Sequence, residues 1–515
     1  MTSPVSTRFL ALALALGCSA APLSAQLTPP VAEARSPDSL VSEADLRRHI
    51  AYLADDALEG RFPGTAGETL TAGYIATQLA AAGFVGGMPD GSWYQPVPLV
   101  ALTTASDAAL FRRADGMRLN PDGVALRAPQ GAARLSDVPL IYVGHGVDDE
   151  GHVTADVRGK VALLLYADRE GGGALNLNAR RDALVAAGAR GTLVVPPPAM
   201  TFAQLRRGFT ARRLQLLSRV SRAEIEGILS ADAADLLIST SGQDAAQARS
   251  AASAKDFAGI DLPVTATLSA DTVRQDFNSY NVVARLPGRV ADSGTVVMTG
   301  HWDHLGVCRS EGASDRICNG AVDNASGIAV LLEVGARLGA AAAGGRGLDR
   351  DVMIVATTAE EQGLLGAFHF AAAPPLPLNR IAVALNVDTV AVSGRGAPMA
   401  VIGRVDNPAY AVEFERVGRE LGRTIDRDEE GEAFVRRQDG WALTQSGVPS
   451  LMAGGSFSDM AKLETYLAGD YHTPADQLTD AIPLGGAADD ADLHLALARH
   501  FGSLRQWPHL RGPDD

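Results

Sequence analysis

Apolar and polar positions follow two different periods along the chain. Near the amino terminus, apolar residues recur at helical spacing over residues 42–53, after a capping Ser42, and again over residues 72–82, before Gly83. Both stretches are predicted to be amphipathic helices. Further on, short continuous apolar runs replace this pattern, and such runs are typical of buried strands.

From residue 279 onwards, apolar runs alternate with helical patterns. The runs cover residues 282–286, 295–299, 352–357, 381–386 and 449–453, and the helical patterns cover residues 326–338, 363–372 and 488–504. This alternation predicts an α/β fold, in which a mainly parallel mixed sheet is sandwiched by helices. In such sheets, functional residues gather at the carboxyl ends of the strands.

The middle of the chain has a different pattern of apolar residues. Strand-like runs at residues 138–143, 161–165 and 191–195 surround one helical pattern at 178–187. We interpret residues 135–265 as a small β-rich domain inserted into a larger one, which then consists of residues 26–134 and 266–515.

The first 25 residues resemble a signal peptide. Arg8 precedes an apolar run at residues 9–17, and small residues at 23–25 form a cleavage site. Secretion or a periplasmic location is therefore expected, with a lipoprotein anchored through Cys18 as the alternative. No apolar run has the length of a membrane-spanning helix.

The net charge and the cysteine content restrict the classes of partner and the chemistry of the two remaining cysteines. A formal net charge of −15 argues against a nucleic-acid-binding surface, which requires clustered Lys and Arg. After cleavage only Cys308 and Cys318 remain, and in an oxidising compartment a disulfide between them is expected. The alternative is a pair of free thiols.

Imidazoles and carboxylates cluster at the predicted strand ends and in two loops. Zinc binds these donors, and a two-metal site requires a shared carboxylate between the ions. The candidate ligands are His301, Asp323, Glu361, Asp388 and His472. The adjacent Glu360 is free to act as a general base on a metal-bridging water.

Five motifs resemble those of metallopeptidase family twenty-eight, which includes leucyl aminopeptidases and glutamate carboxypeptidase. They lie at residues 301–306 (HWDHLG), 319–327 (NGAVDNASG), 359–366 (AEEQGLLG), 386–388 (NVD) and 470–476 (DYHTPAD). Residues 59–65 (EGRFPGT) resemble the family's amino-terminal signature, and the inserted region resembles a protease-associated domain. The resemblance implies a zinc-dependent exopeptidase fold.

The resemblance also implies roles for the matching residues. His301 and Asp388 would bind one zinc, Glu361 and His472 the other, and Asp323 would bridge them. Glu360 would be the general base, and Asp303 would orient the His301 ring. A cis peptide bond is expected after Asp323. Residues 436–441 depart from the family pattern near the substrate pocket, so specificity does not carry over.

The expected function is a secreted two-zinc aminopeptidase that removes amino-terminal residues from peptides. One alternative is a carboxypeptidase or amidohydrolase of the same family, because side chains outside the motifs decide which end of a peptide is recognised. Another is a non-enzymatic, receptor-like relative, although all five ligands and the base are retained. The peptide substrate is the expected partner; the sequence carries no signal for an oligomeric state.

Overall fold

The computed structural model describes residues 28–166, 176–197 and 201–511. The predicted signal peptide and Cys18 lie outside these ranges. The helices of the described residues are α1 Glu43–Leu53, α2 Ala66–Ala81, α3 Leu177–Ala186, α4 Phe202–Thr210, α5 Ala231–Ser239, α6 Ala245–Ala251, α7 Gly327–Ala343, α8 Leu365–Ala372, α9 Pro408–Glu420, α10 Gly440–Thr444, α11 Met460–Ala468 and α12 Leu484–Gly502.

The strands pair into one long sheet and one small hairpin. They are β1 Val85–Gly86, β2 Tyr94–Arg113, β3 Arg118–Leu119, β4 Val124–Arg127, β5 Ala132–Gly144, β6 Val161–Leu165, β7 Gly191–Val195, β8 Arg213–Leu216, β9 Ile225–Leu229, β10 Ile260–Leu286, β11 Thr295–His301, β12 Gly306–Val307, β13 Ile317–Cys318, β14 Asp351–Thr357, β15 Ile381–Asn386, β16 Ala400–Ile402 and β17 Ser450–Gly454.

The half of the sheet nearer the carboxyl terminus has the order β16-β17-β15-β11-β14-β10. Strands β17, β15, β11 and β14 run parallel, whereas β10 and β16 pair antiparallel with their neighbours. The predicted mainly parallel α/β sheet is therefore confirmed.

Helices cover both faces of these strands. Met298 packs in the same cluster as α1, α7 and α12, whereas the next residue towards the amino terminus, Val297, packs with α8 and α10. Because successive side chains of a strand point to opposite faces, a strand covered on both sides must be apolar throughout. This requirement explains the uninterrupted apolar runs in the sequence.

Strands β5, β6, β7, β9 and β4 continue the same sheet into the middle of the chain. Strand β10 pairs with β5 near its start and with β14 near its end, so it belongs to both halves. The boundary expected between residues 265 and 266 falls inside this strand. Strand β4 pairs with β9, which places the start of the β-rich module before residue 135.

One described helical segment, Ala321–Ala343, is long and apolar enough to cross a membrane, judged by length and composition alone. In the structure, 83% of its most apolar window is buried inside the protein. We therefore assign it to the core of the domain.

Candidate metal centre

Three neighbouring strands bring four candidate residues to one edge of the sheet. Strand β11 lies between β14 and β15 and is parallel to both. His301 is its last residue, the doublet Glu360-Glu361 follows β14, and Asp388 follows β15. Parallel strands place their carboxyl ends together, as the sequence analysis expected.

The other two candidate ligands come from loops that are tied to each other. Asp323 lies in an irregular turn before α7, and the bond to Asn324 is cis. His472 lies in the loop after α11. The Asp476 carboxylate accepts hydrogen bonds from the backbone of Val322 (2.9 Å) and Asp323 (3.1 Å), and thereby joins the two loops.

The structure brings all five predicted ligands together around Asp323. His301 Nε2 lies 3.2 Å from Asp323 Oδ1 and 3.5 Å from Asp388 Oδ1. His472 Nε2 lies 3.3 Å from Asp323 Oδ2 and 2.8 Å from Glu361 Oε2. The two oxygens of Asp323 therefore each face a different imidazole, and the cluster has two halves that share one carboxylate.

The donor set fits a pair of zinc ions. The Nε2 atoms of His301 and His472 are buried, and neither forms a well-directed hydrogen bond with the carboxylates around it. Buried polar atoms normally have partners, so two imidazole nitrogens aimed at carboxylate oxygens in this way indicate metal ligands. Each half offers one nitrogen and one unshared carboxylate, and Asp323 completes both.

The electrostatics of the site are those of crowded, buried acids. Burial and the neighbouring Glu361 and Asp388 raise the pKa of Glu360 well above its ordinary value. Burial favours the neutral form of His301, but Glu360 and Asp388 outweigh it and raise the pKa of the ring. For the same reason Asp323 and Glu361 raise the pKa of His472 to about 9. Such carboxylate crowding favours a bound cation.

Asp303 acts differently from the expectation. The backbone carbonyl of Asp303, not its carboxylate, accepts the hydrogen bond from His301 Nδ1 at 3.1 Å, and Oδ1 lies 3.8 Å away. The carboxylate instead accepts a hydrogen bond from the backbone N–H of Glu360 at 3.0 Å. Asp303 therefore orients the ring through its main chain and holds the base through its side chain.

Comparisons with known proteins show which family the residues of the metal centre resemble. Residues 281–497 match the model of peptidase family M28. These residues form a peptidase family M28 domain. The match includes every ligand of the cluster and confirms the peptidase family expected from the five motifs. A search of curated protein sequences finds no significant match.

Solved structures resemble most of the chain, well beyond the M28 domain itself. The aminopeptidase from Aneurinibacillus sp. strain AM-1 is 17% identical with a TM-score of 0.55, over 90% of this chain and 94% of that one. A zinc aminopeptidase from Bacillus subtilis is 20% identical with a TM-score of 0.44, over 91% and 97% of the two chains. A peptidase M28 precursor from Shewanella amazonensis SB2B is 18% identical with a TM-score of 0.41, over 90% and 98%. At these identities the first similarity establishes the fold alone.

Several polar residues that are not among the predicted ligands also lie at the metal centre. His304 Nδ1 lies 2.6 Å from Glu361 Oε1 and so orients that ligand. Asp439 is buried, lies 2.5 Å from the Thr357 hydroxyl, and has its pKa raised to about 6 by burial. His304 lies within the motif at residues 301–306. Asp439 lies in the segment at residues 436–441, which departs from the family pattern, and no feature of the sequence marks it as part of the site.

Arg61, which the sequence suggested only as part of the amino-terminal signature, also supports the metal centre. Its fully buried guanidinium donates to the backbone carbonyls of Trp302 (2.7 Å), Asn319 (2.6 Å) and Gly320 (3.1 Å), and also to that of Leu53. Trp302 follows the ligand His301, and Gly320 begins the turn that carries Asp323. Arg61 thus joins two ligand-bearing loops. Burial lowers its pKa to about 10, so it remains cationic at neutral pH.

We expect Arg61→Met to lower the free energy of unfolding by about 3–5 kcal/mol, because it leaves four buried carbonyls without their donor. Arg61→Lys keeps the charge but loses the planar fork that reaches several carbonyls at once, so it should fold yet bind zinc more weakly. Denaturant unfolding measures the first effect and zinc competition with a chelator the second. Wild-type zinc affinity in Arg61→Lys would contradict the positioning role.

The disulfide Cys308–Cys318 is present and closes the β12–β13 hairpin, with 5.8 Å between the Cα atoms. Cys318 directly precedes Asn319 and Gly320, the two residues of this stretch whose carbonyls Arg61 contacts. The hairpin therefore lies at the base of the Asp323 turn.

A cavity opens beside the metal centre. Its lining includes the acids Glu360 and Asp388 and five apolar residues, Phe434, Met452, Phe457, Leu463 and Leu467. Arg437 and Gln438, from the segment that departs from the family pattern, also line it, with Tyr471. Tyr471 stacks on His472 at 3.6 Å between ring centroids. The cavity therefore places apolar side chains close to Glu360 and Asp388.

Proposed function

We propose that the chain is a secreted, two-zinc aminopeptidase, in which the M28 domain hydrolyses the first peptide bond of substrates with a free amino terminus. One observation carries the proposal: two imidazoles with buried Nε2 atoms face opposite oxygens of Asp323, with Glu361, Asp388 and the spare carboxylate of Glu360 around them. The similar fold of the Aneurinibacillus aminopeptidase supports the same assignment.

Each residue of the cluster has a task in this reaction. His301, Asp388, Glu361 and His472 would hold two zinc ions, with Asp323 shared. Bound there, zinc supplies a nucleophilic water at neutral pH and polarises the substrate carbonyl. Glu360 accepts a proton from the attacking water and delivers it to the amine that leaves when the C–N bond breaks. Asp303 holds the Glu360 backbone during both transfers.

The choice of aminopeptidase rests on the fold, which the Aneurinibacillus aminopeptidase shares over 90% of this chain. Arg437 is the observation that favours the second candidate, a carboxypeptidase or amidohydrolase, because its guanidinium lines the cavity beside the metal centre and can pair with an acidic chain end.

The retained ligands also argue against a receptor-like protein without activity. Several acids buried together cost free energy unless a cation or a reaction uses them, so a protein that needed only the fold would not require this set. The predicted signal peptide supports export from the cytoplasm, where the Cys308–Cys318 disulfide would persist.

The deciding experiment uses three peptides with one sequence: free at both ends, acetylated at the amino terminus, and amidated at the carboxyl terminus. We expect about two zinc ions per chain by elemental analysis. We also expect mass spectrometry to show sequential release from the amino end of the free and amidated peptides only. Release from the carboxyl end, blocked by amidation, would establish the alternative instead.

A further inference from the structure

A second cleft lies where the β-rich module meets the M28 domain. From the module, Arg181, Arg213 and Arg219 line it, and from the M28 domain, Gln362 and Gly363 do so. It shares no lining residue with the apolar cavity beside the metal centre. The cleft is therefore a separate surface, built jointly by two parts of the chain.

Strand β8 places this cleft next to the catalytic loop. Its residues Leu214 and Leu216 are buried in one apolar cluster with Ala359 and Leu365. Arg213, Leu214 and Leu216 of this strand all line the cleft, and so does Leu365. Ala359 directly precedes Glu360, so the cleft borders the loop that carries the proposed base.

Two of the arginines form no ion pair with a described acid, although Glu226 acts on Arg213 from a longer distance. Among the described residues, no acid lies within ion-pair distance of Arg213 or Arg219, and the Arg219 guanidinium stacks 4.4 Å from the Phe368 ring centroid. Desolvation by the surrounding protein lowers the pKa of both side chains. Both side chains are exposed, so an anionic ligand can reach their guanidinium groups.

The acids of the cleft do not cancel this positive charge. Glu226 also lines it, but this carboxylate already pairs with Arg127 at 2.8 Å and with Arg181 at 2.9 Å. Asp182 is the other acid in the lining. Three arginines and two carboxylates thus line the cleft, and one of the carboxylates, Glu226, is already paired, in a chain whose net charge is −15. A local excess of the opposite sign in such a chain favours binding of an acidic segment.

We propose that this cleft binds the portion of a peptide substrate downstream of the scissile bond and favours Asp or Glu there. The inference rests on the proposed peptidase function. The first side chain of the substrate would occupy the apolar cavity, and the leaving portion would pass along β8. The β-rich module would then determine which peptides reach the metal centre efficiently.

The first test measures binding of the leaving portion without turnover. Fluorescence anisotropy follows the tetrapeptides Ala-Glu-Glu-Ala and Ala-Gln-Gln-Ala on the full-length zinc-loaded protein. Each peptide is acetylated at its amino end, so that an aminopeptidase cannot cleave it, and is labelled at its carboxyl end. We expect the acidic peptide to bind about fivefold more tightly, and Arg213→Gln or Arg219→Gln to remove about that factor. Arg118→Gln, an exposed substitution in the same module, is the matched control. Equal affinity for both peptides, or an equal loss in the control, would overturn the proposal.

The second test measures hydrolysis. The ratio of kcat/KM for Leu-Glu-Glu-Ala over Leu-Gln-Gln-Ala should exceed one in the wild type and fall about fivefold in Arg213→Gln. An unchanged ratio would contradict the cleft. Tight binding of the acidic peptide with no release of leucine would instead overturn the proposed function and still support the anion preference of the cleft.

Discussion

Glu360→Ala is expected to lower kcat by about 10³-fold while the protein keeps both zinc ions. Glu360 is not one of the five proposed ligands. Its Oε2 lies 3.9 Å from His301 Nε2, farther than the oxygens of Asp323 and Asp388 do. Its removal therefore leaves every ligand in place. It takes away only the group that moves a proton between water and the leaving amine.

Zinc content by elemental analysis and initial rates on a leucine anilide measure the two quantities separately. Glu360→Gln keeps the shape of the side chain without its basicity and should lose a similar factor. Glu464→Ala, an exposed substitution on α11, serves as the control for loss of an acid. Near-normal turnover in Glu360→Ala would show that another group takes the proton, whereas loss of zinc would show that Glu360 is itself a ligand.

The sequence predicted best those strands that are short, continuous apolar runs. Strands at residues 161–165, 191–195 and 381–386 have the same limits in the structure, because both faces of each strand are covered and nearly every side chain is apolar. The candidate ligands were recognisable for a related reason. Polar residues that follow such runs in succession lie together once the strands are parallel.

Strands β2 and β10 were predicted poorly, because their apolar and polar residues follow no clear pattern along their whole length. The outer half of β2 alternates exposed and half-buried positions and carries polar residues, so it has no apolar run. Strand β10 crosses from one half of the sheet to the other, and no local composition marks that crossing. The expected boundary between residues 265 and 266 therefore lies within a continuous strand.

The supporting residues of the metal centre were the least predictable. Arg61 acts through backbone carbonyls, whose positions depend on how three distant segments meet, and no spacing in the sequence encodes them. Asp439 approaches the centre from a segment without a family motif. Ligands can be recognised by residue type at strand ends, whereas the residues that hold them are defined only by the folded chain.

The Asp323 turn can keep its shape without the Asp323 side chain. Asp476 holds the backbone N–H groups of Val322 and Asp323, and the Asn324 side chain donates to the carbonyl of Val387 at 3.1 Å and accepts from the N–H of Gly327 at 3.0 Å. None of these bonds involves the Asp323 carboxylate. A substitution there therefore tests metal binding and not folding.

We expect Asp323→Ala to retain fewer than one zinc ion per chain after dialysis, and to lose at least as much activity as Glu360→Ala. Each half of the cluster would keep only one imidazole and one carboxylate, fewer than the three protein ligands that catalytic zinc sites commonly use. Asp388→Ala is the informative comparison, because it removes an unshared ligand and should empty mainly the His301 half. Elemental analysis, with thermal unfolding of the metal-free proteins to verify folding, separates the two cases. Two tightly held zinc ions in Asp323→Ala would mean that the halves are independent sites and that no carboxylate is shared between them.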